Sequence, residues 1–215
     1  MTSQDVACDF LREQLLDAAL APGQRLIAQD LAAKLGMSRT PVREAFGRLE
    51  QEQLITRDQA GGYIVRAFKV REIVDLYKVR EALEVEAAVE SMPHIDERTV
   101  LDLRSTLKAA QKEIDRQHPR GFLLASRKFH ALIAARSGNA LLQDLLAKIN
   151  DKVQMIGMAM FRQVPSSMDE VMAENSAILD AIASGATADV VEAFRRHIRN
   201  GKERILRIVG GGVYG

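Results

Sequence analysis

Residues 22–65, PGQRLIAQDLAAKLGMSRTPVREAFGRLEQEQLITRDQAGGYIV, constrain this chain more than any other stretch. A short helix over 28–35 places Leu31, Ala32 and Leu35 on one face, and Gly36 suits the left-handed residue that closes it. Ser38 is a good N-cap for the next helix. Pro41 falls in its first turn, where a missing N–H leaves nothing unsatisfied. That helix runs to about Gln51 and buries Val42, Ala45, Phe46 and Leu49. Segments 54–57 and 63–65 then form a hairpin, with Gly61 and Gly62 permitting a tight tip. Helix, turn, helix and glycine-tipped hairpin in this order describe a winged helix-turn-helix, which delivers one short helix to a DNA groove.

The chemistry at the start of the second helix agrees. Arg39 and Arg43 are four residues apart and share a face near its N-terminus, where helix-turn-helix proteins reach base edges. An arginine grips guanine with two hydrogen bonds, Thr40 can reach a base or a phosphate, and a helix N-terminus beside Ser38 favours a phosphate. Arg48 and Arg57 are placed for backbone contacts, and Gly62 marks the wing tip. An isolated arginine is more often a solvated surface group; here cap, proline, turn and wing coincide. Overall charge does not announce a nucleic-acid binder: the net is +1. The positive charge is local, with Lys34, Arg39, Arg43 and Arg48 set against Glu44.

From Val70 onward the pattern is helical only. Helices are expected over 70–91, 96–117, 120–137, 139–163, 167–184 and 187–209, with breaks at Pro93, His118-Pro119, Gly138, Pro165 and Gly185. A further helix over 4–20 precedes the Pro22-Gly23 turn. Aromatics are 5% with no Trp, which favours helices packed on helices. The expected fold is mainly α: a winged helix-turn-helix over 1–67, an antiparallel bundle of six or seven helices over 68–209, and a flexible tail over 210–215. No apolar run approaches the ~20 residues of a membrane span. The N-terminus lacks signal-peptide character, and a single cysteine, Cys8, excludes an internal disulfide. These features point to the cytoplasm, with no membrane partner. Cys8 reads as a small apolar residue of the first helix.

The run from Pro22 to Glu50, above all SRTPVREA, resembles the DNA-binding domain of GntR-family bacterial transcription regulators. The helical half resembles the ligand domain of the FadR-like subfamily, through LYKVREALEVEAA at 76–88, FHALIAARSGNALL at 129–142 and ILDAIASGATADVVEAFRRHI at 178–198. The resemblance implies a homodimer that binds a palindromic operator as a repressor and is switched by a small organic acid or related metabolite. There are departures. The family often has Gly where Gln53 stands, an alanine-leucine pair and a basic residue where Ala45-Phe46-Gly47 stands, and an Arg at the wing tip.

The same resemblance marks an effector site. Many FadR-like domains hold a divalent metal with an aspartate one turn before a histidine and two further histidines. The matching positions here are Ser126, His130, Asn175 and His197, so two of the four ligands differ. The resemblance therefore implies a Zn or Ni site held by His130, His197 and Asn175 and weakened by the lost carboxylate and imidazole. Without the resemblance, two distant histidines are packed, hydrogen-bonded residues. The four positions also suit a metal-free polar pocket, in which protonated histidines bind an anion. Arg80 is the expected carboxylate clamp, with Tyr77 and Glu84 a turn either side; its bland reading is a surface salt bridge to Glu84 at i+4. The methionines over 155–172 read as core, and the basic run Arg195 to Arg207 as a solvated face. Two rivals stay open: a constitutive DNA-binding protein with a degenerate pocket, and a metal-dependent enzyme. The second lacks a nucleophile–base pair or carboxylate dyad, so the chain is read as no enzyme.

Overall fold

The computed structural model describes residues 2–209. The expected tail at 210–215 lies outside them. Chain contacts divide into two units, Met1–Phe68 and Lys69–Gly215.

In the first unit, α1 (Ser3–Leu16) opens with a capping box: Thr2 accepts from the Asp5 N–H, and the Asp5 carboxylate accepts from the Thr2 N–H. The helix ends four residues short of the expected Leu20, because Ala18 takes a left-handed backbone (φ 48°). The turn lets segment 23–24 reach the wing, where the Gly23 N–H donates to Val65 and the Val65 N–H to Gln24. β1 (Arg25–Leu26) thereby becomes the third strand of a small antiparallel sheet with β2 (Ile55–Arg57) and β3 (Tyr63–Val65), in the order β1-β3-β2. α2 (Ala28–Leu35) ends at Gly36 with φ 64°. α3 (Arg39–Gln51) follows two residues later. Leu11 and Leu15 of α1, Val42, Phe46 and Leu49 of α3, and Leu54, Ile55 and Val65 of the hairpin form the buried core. Cys8 is fully buried among them. Burial of each such aliphatic side chain stabilises the fold by ~1.5–3 kcal/mol.

The second unit consists of α4 (Val70–Ser91), α5 (Glu97–Asp115), α6 (Pro119–Ala135), α7 (Ala140–Gln163), α8 (Ser167–Ser184) and α9 (Thr187–Ile208). Their bounds fall within two residues of the expected ones. A short 3-10 turn, Met92–His94, carries the chain past Pro93. α4 packs on α6, α7 and α9, α5 on α6 and α8, and α8 on α9. Phe122, Phe129, Phe161 and Phe194 are fully buried, with Phe122 and Phe161 edge to face at 5.3 Å. The bundle therefore has an aromatic centre, and the helices around it set the walls of a polar site. Among the described residues no helix is long and apolar enough to cross a membrane.

Candidate functional site

On the first unit, α3 presents its opening turn outward. Ser38, Arg39, Thr40 and Arg43 are exposed. Arg39, Thr40 and Arg43 make no side-chain hydrogen bond or ion pair among the described residues. Ser38 stands at the N-cap with extended backbone (φ −73°, ψ 166°), yet its hydroxyl makes no capping bond, a departure from the expected role. Pro41 occupies the third helical position and has no N–H for that hydroxyl to accept from.

The neighbouring cations are engaged. Arg48 lies 3.5 Å from Asp5 and 3.4 Å from Glu52. Arg57 donates to Glu50 at 3.0 Å and to the Tyr63 hydroxyl at 2.8 Å, with its guanidinium over the Tyr63 ring. At the wing tip the Asp58 carboxylate accepts from the N–H groups of Ala60 and Gly62, so the Gly62 N–H is already used. A Cβ on Gly62 would lie 3.0 Å from the Arg25 guanidinium. Among the patch's cations Arg39 and Arg43 make no ion pair, and the Lys34 ammonium lies over the Phe10 ring at 5.0 Å.

In the second unit, a cavity of about 80 Å³ is lined by Tyr77, Arg80, Ser126, His130 and His197, together with Glu84 and Arg204. Asn175 is fully buried and does not line it; its Nδ2 donates to the Ser126 Oγ at 3.1 Å from behind the wall. The two histidines, from α6 and α9, stack with ring centroids 5.0 Å apart at 28°. Each is held by a glutamate through Nδ1: His130 by Glu84 at 2.5 Å and His197 by Glu174 at 3.0 Å. Each glutamate is held in turn by an arginine. Arg80 Nε donates to Glu84 at 2.5 Å, and Arg204 reaches both oxygens of Glu174 at 2.7 Å. Two Arg–Glu–His relays thus meet at the stacked rings.

Electrostatics follow from this geometry. Burial alone would raise the Glu84 pKa, but Arg80 and His130 outweigh it and hold the carboxyl far below the usual range. Burial likewise opposes ionisation of Glu174, and hydrogen bonds from Arg204, His197 and Asn200 bring it down to about 2. Burial pushes His197 down to about 4, more than the Glu174 hydrogen bond restores. Burial thus disfavours the protonated form of His197 that the anion-binding expectation calls for. Ionised glutamates accept, so each Nδ1 carries a proton.

Arg80 combines both expected readings: it lines the cavity, and its Nε is committed to Glu84. The basic run over 195–207 is only partly a solvated face. Arg199 pairs with Glu81 at the surface, but Arg204 is 5% exposed and belongs to the site. His197, Gly201 and Arg204 line the cavity at i, i+4 and i+7 of α9, a helical stripe that marks them in retrospect. Glu174 carries no such mark beyond its place beside Asn175. His94 and His118 are exposed, as expected from their positions at helix breaks. Met155, Met158, Met160 and Met168 are buried core residues.

Among the described residues no three His, Cys, Asp or Glu side chains converge as a metal cluster. The donors present still fit a divalent ion: His130 Nε2 and Asn175 Oδ1 are buried without partners, and each imidazole is backed by a carboxylate, the usual outer support of a metal-bound histidine.

Comparison with known proteins bears on both surfaces. A family pattern described as "Bacterial regulatory proteins, gntR family" matches residues 2–65, and the FCD domain pattern matches residues 75–200. The HTH-type transcriptional regulator YdhC of Bacillus subtilis is 28% identical over 66% of this chain and 64% of its own length. The HTH-type transcriptional repressor RspR of Escherichia coli is 25% identical over 93% of this chain and 87% of its own. The solved structure of E. coli McbR/YncC superposes with a TM-score of 0.83 at 21% identity, covering 97% of this chain and 99% of that one. These relatives are transcription regulators and not enzymes, and the solved structure shares the fold.

Proposed function

The chain belongs to the gntR family of bacterial DNA-binding transcription regulators, with an FCD domain as its helical half, and on that premise we propose that it is a homodimeric, effector-responsive repressor. Two copies present α3 to successive major grooves of a palindromic operator, about one DNA turn apart. Arg39 and Arg43 read base edges, Thr40 and the uncapped Ser38 hydroxyl meet base or phosphate, and Arg48 contributes to the local field. One observation carries this reading: Arg39 and Arg43 are unpaired on an exposed face while Arg48 and Arg57 around them are engaged by acids and Tyr63. The likeness to a repressor, RspR, supports the direction of control.

The effector is a small organic acid bound against Tyr77, Arg80, Ser126, His130 and His197, and it shifts operator affinity through a coupling free energy between the two sites. A Zn or Ni ion would be held by His130 and His197, with Asn175 Oδ1 as a weaker oxygen donor. Such an ion would add positive charge beside a carboxylate bound in the cavity, against the unpartnered His130 Nε2.

The test uses DNA selected from a random pool by the wild-type protein. Arg43→Ala should abolish retention of that DNA while dimer mass and thermal stability are kept. Unchanged affinity would sink the docking. The second reading, constitutive DNA binding, is favoured by the commitment of Arg80 to Glu84. Ligand-dependent release of the selected DNA would exclude it.

A further inference from the structure

The wing tip, residues 58–62, has one charged side chain of its own, the carboxylate of Asp58. A tip of that charge is repelled by phosphates. The structure brings a cation to it from outside the hairpin. β1 pairs with β3, Arg25 opposite Ile64 and Leu26 opposite Tyr63, and from there the Arg25 guanidinium reaches Gly62 and Asp58. Gly62 makes room for it. Gly61 has φ 78° and suits glycine for that reason, whereas Gly62 lies outside the left-handed region, so its backbone would accept a side chain. The space would not: a Cβ at 62 would lie 3.0 Å from Arg25 Nη2, 3.2 Å from Arg25 Nε and 3.1 Å from Asp58 Oδ2.

The guanidinium is positioned there but not committed. The Arg25 side chain is 61% exposed, and its Nε lies 3.7 Å from Asp58, beyond hydrogen-bond distance. One Asp58 oxygen already accepts from the N–H groups of Ala60 and Gly62. The other arginines of the hairpin are engaged, Arg57 by Glu50 and Tyr63 and Arg66 by the Phe68 ring. The hairpin is also fixed to α3, because the Tyr63 ring packs on Phe46 with centroids 5.1 Å apart. The tip therefore presents the donors of Arg25 from a base joined to the recognition helix.

We propose that Arg25 is the DNA contact of the wing, and that Gly62 serves DNA binding by leaving the space in which this guanidinium lies. The assignment rests on α3 docking in a major groove as proposed above. An element held beside that helix meets the phosphate strand bordering the groove and the minor groove beyond it. Both present anionic or electronegative acceptors, and a guanidinium suits either, since it is always charged and its planar fork of donors grips two acceptors together.

The probe is DNA selected from a random pool by the wild-type protein, with A·T-rich or G·C-rich sequence flanking the selected site. Arg25→Ala in the full chain should weaken binding ~10-fold, as expected for one charged hydrogen bond. It should also lower the slope of log affinity against log salt by ~1 per contact. The melting temperature should hardly move, because β1 pairs through its backbone and the ion pair with Asp58 is exposed. Gly62→Ala keeps the charge but displaces the guanidinium. It should weaken binding when Arg25 is present and have no effect when Arg25 is already Ala. A loss confined to A·T-rich flanks assigns the contact to a narrow minor groove, and an equal loss on both flanks assigns it to phosphate. Full affinity and an unchanged salt slope for Arg25→Ala, beside a loss for Arg43→Ala, would overturn the proposal and leave the docking of α3 standing. Full affinity in both variants would remove the docking as well. An effect of Gly62→Ala that is the same with and without Arg25 would break the link between the two residues. Should Arg25→Ala not fold, Gly62→Ala decides alone: a displaced contact lowers the salt slope, and an idle arginine leaves it unchanged.

Discussion

His130 and His197 stack with their ring centroids 5.0 Å apart, although they come from α6 and α9 and each is anchored to a different glutamate. For His197, burial is the main cause that disfavours its protonation, and the nearby His130 and Arg80 add to it.

His197 has a folded pKa of about 4 against an ordinary value of 6.5. The unfolded chain binds the extra proton first, so stability is full above pH 6.5 and falls as pH drops toward 4. Glu174, lowered to about 2, adds a loss of the same sign below about pH 4.5. Urea unfolding should therefore show a decrease of about 2 kcal/mol from His197 between pH 7 and pH 5. His197→Gln should flatten that slope. A slope unchanged by the substitution would mean that another group titrates.

The two Arg–Glu pairs of the cavity differ in kind from those at the surface. Glu174→Ala leaves the guanidinium of Arg204 buried without its main partner and should destabilise the protein by ~3 kcal/mol or more. Arg199→Ala removes an exposed pair with Glu81 and should cost ~1 kcal/mol or less. Denaturant midpoints of the two variants, measured side by side, check the ranking.

Two positions in the DNA-binding unit carry removable backbone costs. Gln53 has φ 61°, the left-handed region that glycine adopts without strain. This is the physical reason that a glycine is usual at that place. Gln53→Gly should raise stability by about 1 kcal/mol. Gly47 lies inside α3, and a Cβ there would meet nothing within 4 Å. Gly47→Ala should add roughly another 1 kcal/mol. Thermal melts of both variants and of the double variant test the gain and its additivity.

On DNA, the free and the engaged arginines should separate. Arg39→Ala or Arg43→Ala should cost ~1–3 kcal/mol of operator affinity and relax base preference. Arg48→Ala should cost less and leave preference intact, because its charge is already balanced by Asp5 and Glu52. Fluorescence anisotropy against the selected site and single-base variants of it distinguishes the two patterns.

Removing a bound ion offers a further check on the pocket. If His130 and His197 hold a metal, protein purified without chelator should contain it and His130→Ala should not, with a lower melting temperature in the wild type after chelation. Equal metal content in the two proteins would place the ion elsewhere.

The local signals in this chain were strong enough to determine its elements. Caps, prolines, glycines and the 3.6-residue apolar period are properties of neighbours in sequence, so the helices of the second unit, the short α2 and α3, and the wing hairpin were all legible. So was the exposure of Arg39 and Arg43, because the periodicity of α3 itself displays them. What the sequence did not settle depends on groups brought together from distant helices. Thr2 and Asp5 begin α1 by a local rule, and it ends early where Ala18 turns left-handed, ahead of the strand Arg25–Leu26 that pairs with the wing. Arg204 reads as one more member of a basic surface run until α8 places Glu174 against it. The depressed pKa of His197 exists only through burial beside a second histidine and Arg80. Hydrogen bonds along a helix are written in the order of residues, whereas desolvation and charge pairing are set by packing between helices, and only the tertiary structure supplies that.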